Sequence, residues 1–261
     1  MKPKSTSWDN VASWYQNLLK YGRGTYQHDV ILPNILRLLA PKAGQKILDI
    51  GCGPGFFARA FAQAGADVAG VDISEELIAF AKQEVPQAKF FVCSADNITP
   101  VTDGTNDAAT IILSLQNIEN ITGVFAQCRR VLKSGGRLLI VLNHPAFRVP
   151  KQSSWEFDEK NNAQYRRLDS YLSEARAKID MHPGLSAVAG AKADDDHGIH
   201  TWSFHRPLQV YFKLLHKHGF AVMRLEEWIG NRAGPRGQRF AASERARKEF
   251  PLFLFLEAKL L

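Results

Sequence analysis

Cysteine is scarce in this chain: Cys52, Cys93 and Cys128 are the three present in 261 residues. Their odd number and the absence of any Cys-x-x-Cys pair argue against a disulfide framework or a zinc site and fit free thiols in a reducing compartment. Long apolar runs are also missing, since nothing approaches the roughly eighteen residues that cross a bilayer. The N-terminal MKPKSTSWDN has basic residues but no apolar stretch, so no secretory leader is expected and a cytoplasmic location is. There are no internal repeats. No Gly-Lys-Ser/Thr follows a glycine-rich turn, which excludes a Walker-type phosphate loop. Negative charge is in deficit, with 33 Lys and Arg against 26 Asp and Glu, a formal charge of +7. Such an excess favours an anionic partner but does not bear on fold.

What is present is a hydrophobic fraction of 45%, enough for a substantial core, in a length that suits one α/β domain. The most informative stretch is ILDIGCGPGFFA, residues 47–58. An apolar strand bearing Asp49 runs into a turn containing Gly51, Cys52, Gly53 and Gly55, and a helix follows. The glycines allow a sharp turn and a ligand lying against bare backbone, while the helix start aims its amides at that ligand. The dinucleotide fingerprint needs G-x-G-x-x-G, but Phe56 occupies the third fingerprint position. Asp49 is of no use to a pyrophosphate and of direct use to a cationic group. S-adenosylmethionine, with an ammonium, a sulfonium and no phosphate, fits the loop better than a dinucleotide does.

Two later strand ends agree. VAGVDIS (68–74) ends in Asp72, about twenty residues past the first glycine, where an acid takes ribose hydroxyls. AKFFVCSADNI (88–98) ends in Ala95, Asp96 and Asn97, where a carboxylate can accept from an adenine amine. With these residues in view, the chain resembles the class I S-adenosylmethionine-dependent methyltransferases, particularly the UbiE-like group. DIGCGPG, VDIS, SADNI, DAATIILSLQNIEN (107–120) and VLKSGGRLLIV (131–141) carry the likeness, over roughly residues 30–143. The resemblance implies that Gly51, Gly53 and Gly55 pass along the methionine part and that Asp49 acts on its ammonium. It further implies Ile73 beside the adenine, and Ser114 to Gln116 next to the methyl group.

Strand and helix patterns alternate from 41 to 143, which predicts a doubly wound, Rossmann-like α/β sheet with helices on both faces and a ligand at the carboxyl ends of its strands. Seven strands are expected, mostly parallel; by resemblance the last (251–260) inserts antiparallel between the fifth and sixth. Residues 1–40 read as an N-terminal helical cap, 41–143 as the cofactor-binding core, 144–205 as a substrate-covering insertion and 206–261 as the rest of the sheet. Within the insertion a helix is expected near 165–179, and 182–199 is expected to be its most mobile part. The arginine-rich 230–249 reads as a long loop.

Methyl transfer from a sulfonium needs alignment above all, and a protic acceptor also needs a base. His144 is the candidate base, Arg148 the candidate holder of an anionic acceptor group, and Tyr26 a candidate in a segment that, in similar enzymes, folds over the cofactor. Tyr21 and His28 share that segment, and His200, Trp202, His205 and Arg206 close the insertion. These histidines lack suitably spaced partners for a metal. The reading is a small-molecule methyltransferase using S-adenosylmethionine and yielding S-adenosylhomocysteine. Two alternatives stand beside it: an RNA or protein methyltransferase using the basic segment 230–249, and a cofactor-binding protein without turnover.

Overall fold

The computed structural model describes residues 6–21, 24–180, 200–234 and 236–261. Helices α1 (Ala12–Tyr21) and α2 (Leu32–Leu39) lead into a strand-helix alternation. It comprises β1 (Lys46–Ile50), α3 (Phe56–Gln63), β2 (Asp67–Asp72), α4 (Glu75–Glu84), β3 (Lys89–Val92), β4 (Asn106–Ile112), α5 (Ile121–Val131) and β5 (Leu132–Asn143). After β6 (Ser153–Asp158), β7 (Ala163–Leu168), β8 (Ala175–Asp180) and β9 (His200–His205) come α6 (Leu208–Lys217), β10 (Phe220–Trp228), α7 (Phe240–Glu249) and β11 (Phe253–Leu260).

Seven strands form one sheet in the order β10-β11-β5-β4-β1-β2-β3. β1 to β5 pair in parallel, and β11 lies antiparallel between β5 and β10. The last strand therefore inserts as expected. The order reverses between β1 and β4, so the crevice at their carboxyl ends is where a ligand belongs in such a sheet.

Strand alternation sorts side chains onto two cores. Ile47 of β1 packs with α2, α3 and α4 through Ile35, Phe61 and Ile78. Leu48 and Ile50 pack on the opposite face with Phe125 of α5 and Leu215 of α6. Burial on both faces is what makes these strands continuously apolar, and each such side chain contributes about 1.5–3 kcal/mol. Ser74 caps α4, its Oγ accepting from the Leu77 amide at 3.1 Å. Asp9 Oδ1 accepts from Ser74 Oγ at 2.5 Å, which ties the N-terminal segment down onto α4 beside the carboxyl end of β2.

Two expectations are corrected. The helix expected near 165–179 is replaced by strands: β7 pairs antiparallel with β6, and β8 with β9. Ala175, Ala177 and Ile179 alternate with Arg176, Lys178 and Asp180, a period of two rather than of 3.6. The segment 230–249 is not all loop, because α7 occupies Phe240–Glu249 and buries Ala242 and Ala246 one turn apart. The stretch 182–199, expected to be most mobile, lies outside the described residues. Among the described residues no helix is long and apolar enough to cross a membrane.

Candidate active site

The carboxyl ends of β1 to β4 open into a cavity of about 610 Å³, within the range of small-molecule sites. Its walls include Gly51, Cys52 and Gly53 after β1, Asp72 and Ile73 after β2, Ser94, Ala95 and Asp96 after β3, and Leu113 and Ser114 after β4. Trp8 and Tyr15 close it from the N-terminal side, and Arg176, Trp202 and Phe204 from the β8–β9 hairpin.

Each wall residue is placed by its strand. Gly51, Gly53 and Gly55 all have positive φ (71°, 55° and 82°), so the chain reverses without the strain a side chain would bring. A Cβ at Gly51 would lie 2.5 Å from Ser114 Cβ and Oγ, so the β1 turn and the end of β4 meet with no room between them. Asp72 braces the same turn: its Oδ2 accepts from the Gly53 amide at 2.9 Å and its Oδ1 from the Ser74 amide at 3.0 Å. Burial raises the Asp72 pKa, with the amides of Ser74, Gly53 and Ile73 pulling it back. Donation from Ser94 Oγ (2.5 Å), joined by Asn120 Nδ2 (2.9 Å), holds the Asp96 carboxyl below its ordinary range. Ile73, 49% exposed, offers an apolar side chain beside these acids.

Asp49 is 1% exposed and is not part of the lining. Its Oδ1 accepts from Thr110 Oγ1 at 2.7 Å, while its Oδ2 is buried without a partner. Burial pushes its carboxyl up to about 7, against the Thr110 bond and with a further rise from Asp72. A cation on the far side of the glycine turn would favour its ionised form. Leu113 adopts a left-handed φ of 56° at the end of β4, a strained backbone at the cavity wall.

Of the expected cofactor residues, Gly51, Cys52, Gly53, Asp72, Ile73, Ala95, Asp96 and Ser114 line the cavity. Gly55, Asn97 and Gln116 join Asp49 outside the lining. Gln116 supports the strained turn, its Nε2 donating to the Leu113 carbonyl at 2.7 Å.

The three candidate catalytic residues lie elsewhere. His144 is buried, its Nδ1 accepting from the Ala146 amide (3.2 Å) and its Nε2 donating to Glu227 Oε1 (2.7 Å). Desolvation lowers its pKa despite the Glu227 carboxylate. With both nitrogens engaged, the ring has no lone pair free for a substrate proton. Arg148 donates to Asn143 Oδ1 at 2.6 Å and sits over Phe253, and Tyr26 packs edge-on against Phe253. None of the three lines the cavity. His28 bonds to the Leu19 carbonyl and His205 to that of Tyr171, while Tyr21 is exposed. Arg206 donates to the carbonyls of Ile118 and Glu119. His200 packs edge-on to Trp202, which does line the cavity. Among the described residues no three His, Cys, Asp or Glu side chains gather as a metal site would require.

Trp8, Tyr15, Arg176 and Phe204 also line the cavity, with no sequence motif to mark them. Tyr15 is recoverable only in three dimensions: burial and the Asp72 charge push its hydroxyl up to about 12, against the bond with Gln27. The basic segment is largely occupied internally. Arg239 pairs with Glu159, Arg247 with Glu244 at 2.8 Å, and Arg245 donates to the Asn162 carbonyl at 2.9 Å.

Comparison with known proteins agrees with this geometry. Residues 48–140 match the family described as a methyltransferase domain. A demethylmenaquinone methyltransferase of Paenarthrobacter aurescens is 27% identical over 197 residues, covering 74% of this chain and 74% of that one. A ubiquinone biosynthesis O-methyltransferase of Thiobacillus denitrificans is 35% identical over 101 residues, covering 37% of this chain and 44% of that one. The crystal structure of an S-adenosylmethionine-dependent methyltransferase from Mesorhizobium loti superposes with a TM-score of 0.66 at 25% identity, covering 87% of this chain and 96% of that one. The domain match, the relatives and the structural likeness together support a class I S-adenosylmethionine-dependent methyltransferase. The chain is an enzyme of that class, and S-adenosylmethionine is its cofactor.

Proposed function

We propose that this enzyme methylates a small-molecule acceptor that enters the cavity between the glycine turn and the β8–β9 hairpin. The observation that carries the reading is the cavity itself: one wall made of strand-end acids and bare backbone, the other of aromatic side chains. The names of the two curated relatives favour a ring-bearing, quinone-like acceptor.

The chain's own residues divide the work. Asp72 would take the ribose hydroxyls and Asp96 the adenine amine, with Ile73 against the ring. Gly51 and Gly53 would let the methionine part lie on the backbone, and Asp49 would favour its ammonium through the turn. When bound, the cofactor supplies a methyl group on a leaving group already activated as a sulfonium. The protein then has to align the acceptor and keep water out. Residues 1–40 would serve as a cap and 144–205 as a cover, with Trp8, Tyr15 and Trp202 displacing water. His144 and Arg148 would act at a distance, by holding the end of β5.

Calorimetry with S-adenosylhomocysteine, S-adenosylmethionine and NAD tests the cofactor site. Both sulfur ligands should bind and NAD should not. Asp72→Ala should weaken S-adenosylhomocysteine by about 1–3 kcal/mol, the scale of a lost hydrogen bond to a charged group. Unchanged affinity in that variant would move the ribose elsewhere.

A further inference from the structure

The lining of the cavity is lopsided in charge. Asp72, Asp96 and Glu119 supply carboxylates, and among the described lining residues Arg176 is the only cation. No carboxylate of the described residues lies within ion-pair distance of it; its partners among the described residues are rings. Its guanidinium lies 3.6 Å from the centroid of Trp202 and 5.8 Å from that of Phe204. On the β8–β9 ladder Arg176 stands opposite Phe204, and Lys178 opposite Trp202, so the arginine and both rings share one face of the hairpin. Stacking covers one face of the guanidinium and leaves its in-plane N–H donors open, the arrangement that suits a bidentate carboxylate.

Resting on the methyltransferase reading above, we propose that Arg176, held flat on Trp202, selects acceptors that carry a carboxylate on a planar aromatic ring. The acids at the strand ends would hold the cationic and hydroxylated parts of the cofactor. The arginine on the opposite wall meets the acceptor's anion, and Trp202 and Phe204 meet its ring. This assigns acceptor specificity to the hairpin rather than to the β5 end, where Arg148 is already bonded to Asn143. The cofactor carries a carboxylate of its own, so the same chemistry could reach Arg176 from either molecule, and the test must separate them.

Protein saturated with S-adenosylhomocysteine is titrated with 3,4-dihydroxybenzoate and with its uncharged counterpart, 3,4-dihydroxybenzamide. The acid should bind about tenfold or more tightly than the amide, the discrimination expected of a charge-assisted pair. Arg176→Gln should bring the two probes to within roughly twofold of each other while leaving S-adenosylhomocysteine affinity unchanged, which also shows that the variant is folded. Arg176→Lys should keep part of the preference, retaining the charge but not the fork. Equal affinity of both probes for the unmodified protein, binding of neither, or a preference that survives Arg176→Gln would each overturn the assignment. A tenfold loss of S-adenosylhomocysteine affinity in Arg176→Gln would overturn it in favour of the cofactor's own carboxylate. Failure of the unmodified protein to bind S-adenosylhomocysteine would instead overturn the methyltransferase reading.

Discussion

Replacing Gly51 by alanine should damage this protein more than any comparable change on its surface, and the size of the effect can be worked from two independent causes. The backbone at Gly51 has φ 71°, where a Cβ costs roughly 1–2 kcal/mol. The new Cβ would also stand 2.5 Å from Ser114 Cβ and Oγ. Relieving an overlap of that kind in a packed region costs about 1–3 kcal/mol. The sum, about 3.5 kcal/mol at its centre, corresponds to a melting temperature lower by roughly 7–14 °C in a chain of this size. Ser114→Gly removes both clashing atoms but leaves the backbone strain untouched. A double-mutant cycle in urea should therefore return a coupling of about 1 kcal/mol or more, with the double variant recovering the steric part alone. S-adenosylhomocysteine affinity should follow the same pattern, since the clash displaces the turn proposed to carry the ligand. A Gly51→Ala protein within about 0.5 kcal/mol of the original, or strictly additive effects in the cycle, would refute the argument that β1 and β4 meet at this glycine.

Further outcomes concern two titrating groups. The Asp49 carboxyl titrates at about 7 when folded against an ordinary 3.8, so between those values the folded state holds a proton that the unfolded state has lost. Stability of the ligand-free protein should therefore fall as pH rises through that window, by up to about 1.4 kcal/mol per unit from this group, and Asp49→Asn should flatten the slope in urea titrations. If the ligand's ammonium lies beyond the glycine turn as proposed, it would favour the ionised carboxylate, so S-adenosylhomocysteine affinity should rise with pH up to about 7, with proton release visible as a dependence of calorimetric heat on buffer. For His144, removal of a buried ring bonded to Glu227 and Ala146 should cost about 1–3 kcal/mol in stability. The pH–rate profile of methyl transfer should be unaltered in His144→Ala, and a shifted profile would restore it as the base.

Much of the fold is written locally. Leu48 and Ile50 flank Asp49 in a run that only a doubly covered strand tolerates, and the turn that follows can bend only through its glycines. Ser74 announces the start of α4 because its hydroxyl has one obvious use, capping the Leu77 amide. Asp72 and Asp96 are legible for the same reason, since Asp72 ends β2 and Asp96 stands in the turn that follows β3. The misread parts depend on partners far away in sequence. β6 becomes a strand because β7 pairs with it, and Arg245 reaches back to Asn162 to hold α7 against that hairpin. The place of His144 after β5 suits a base. Only Glu227, brought alongside by the antiparallel entry of β11, reveals it as a satisfied core histidine.

The same contrast explains where specificity resides. Residues of the glycine turn and the strand ends are constrained by backbone geometry, so their chemistry follows from the fold and suits a cofactor common to the class. The β8–β9 hairpin carries no such constraint: Arg176 and Trp202 could be exchanged without disturbing either core, because neither belongs to one. A wall free to vary, set opposite a wall that is not, is where one enzyme of this class can differ from another in its acceptor. Exchanging Trp202 for leucine should therefore leave S-adenosylhomocysteine affinity within about twofold, while costing about 1 kcal/mol in binding of an aromatic acid through the lost stacking and cation–π support. Equal losses for both ligands would place Trp202 on the cofactor, and the division of the cavity into two walls would fail with it.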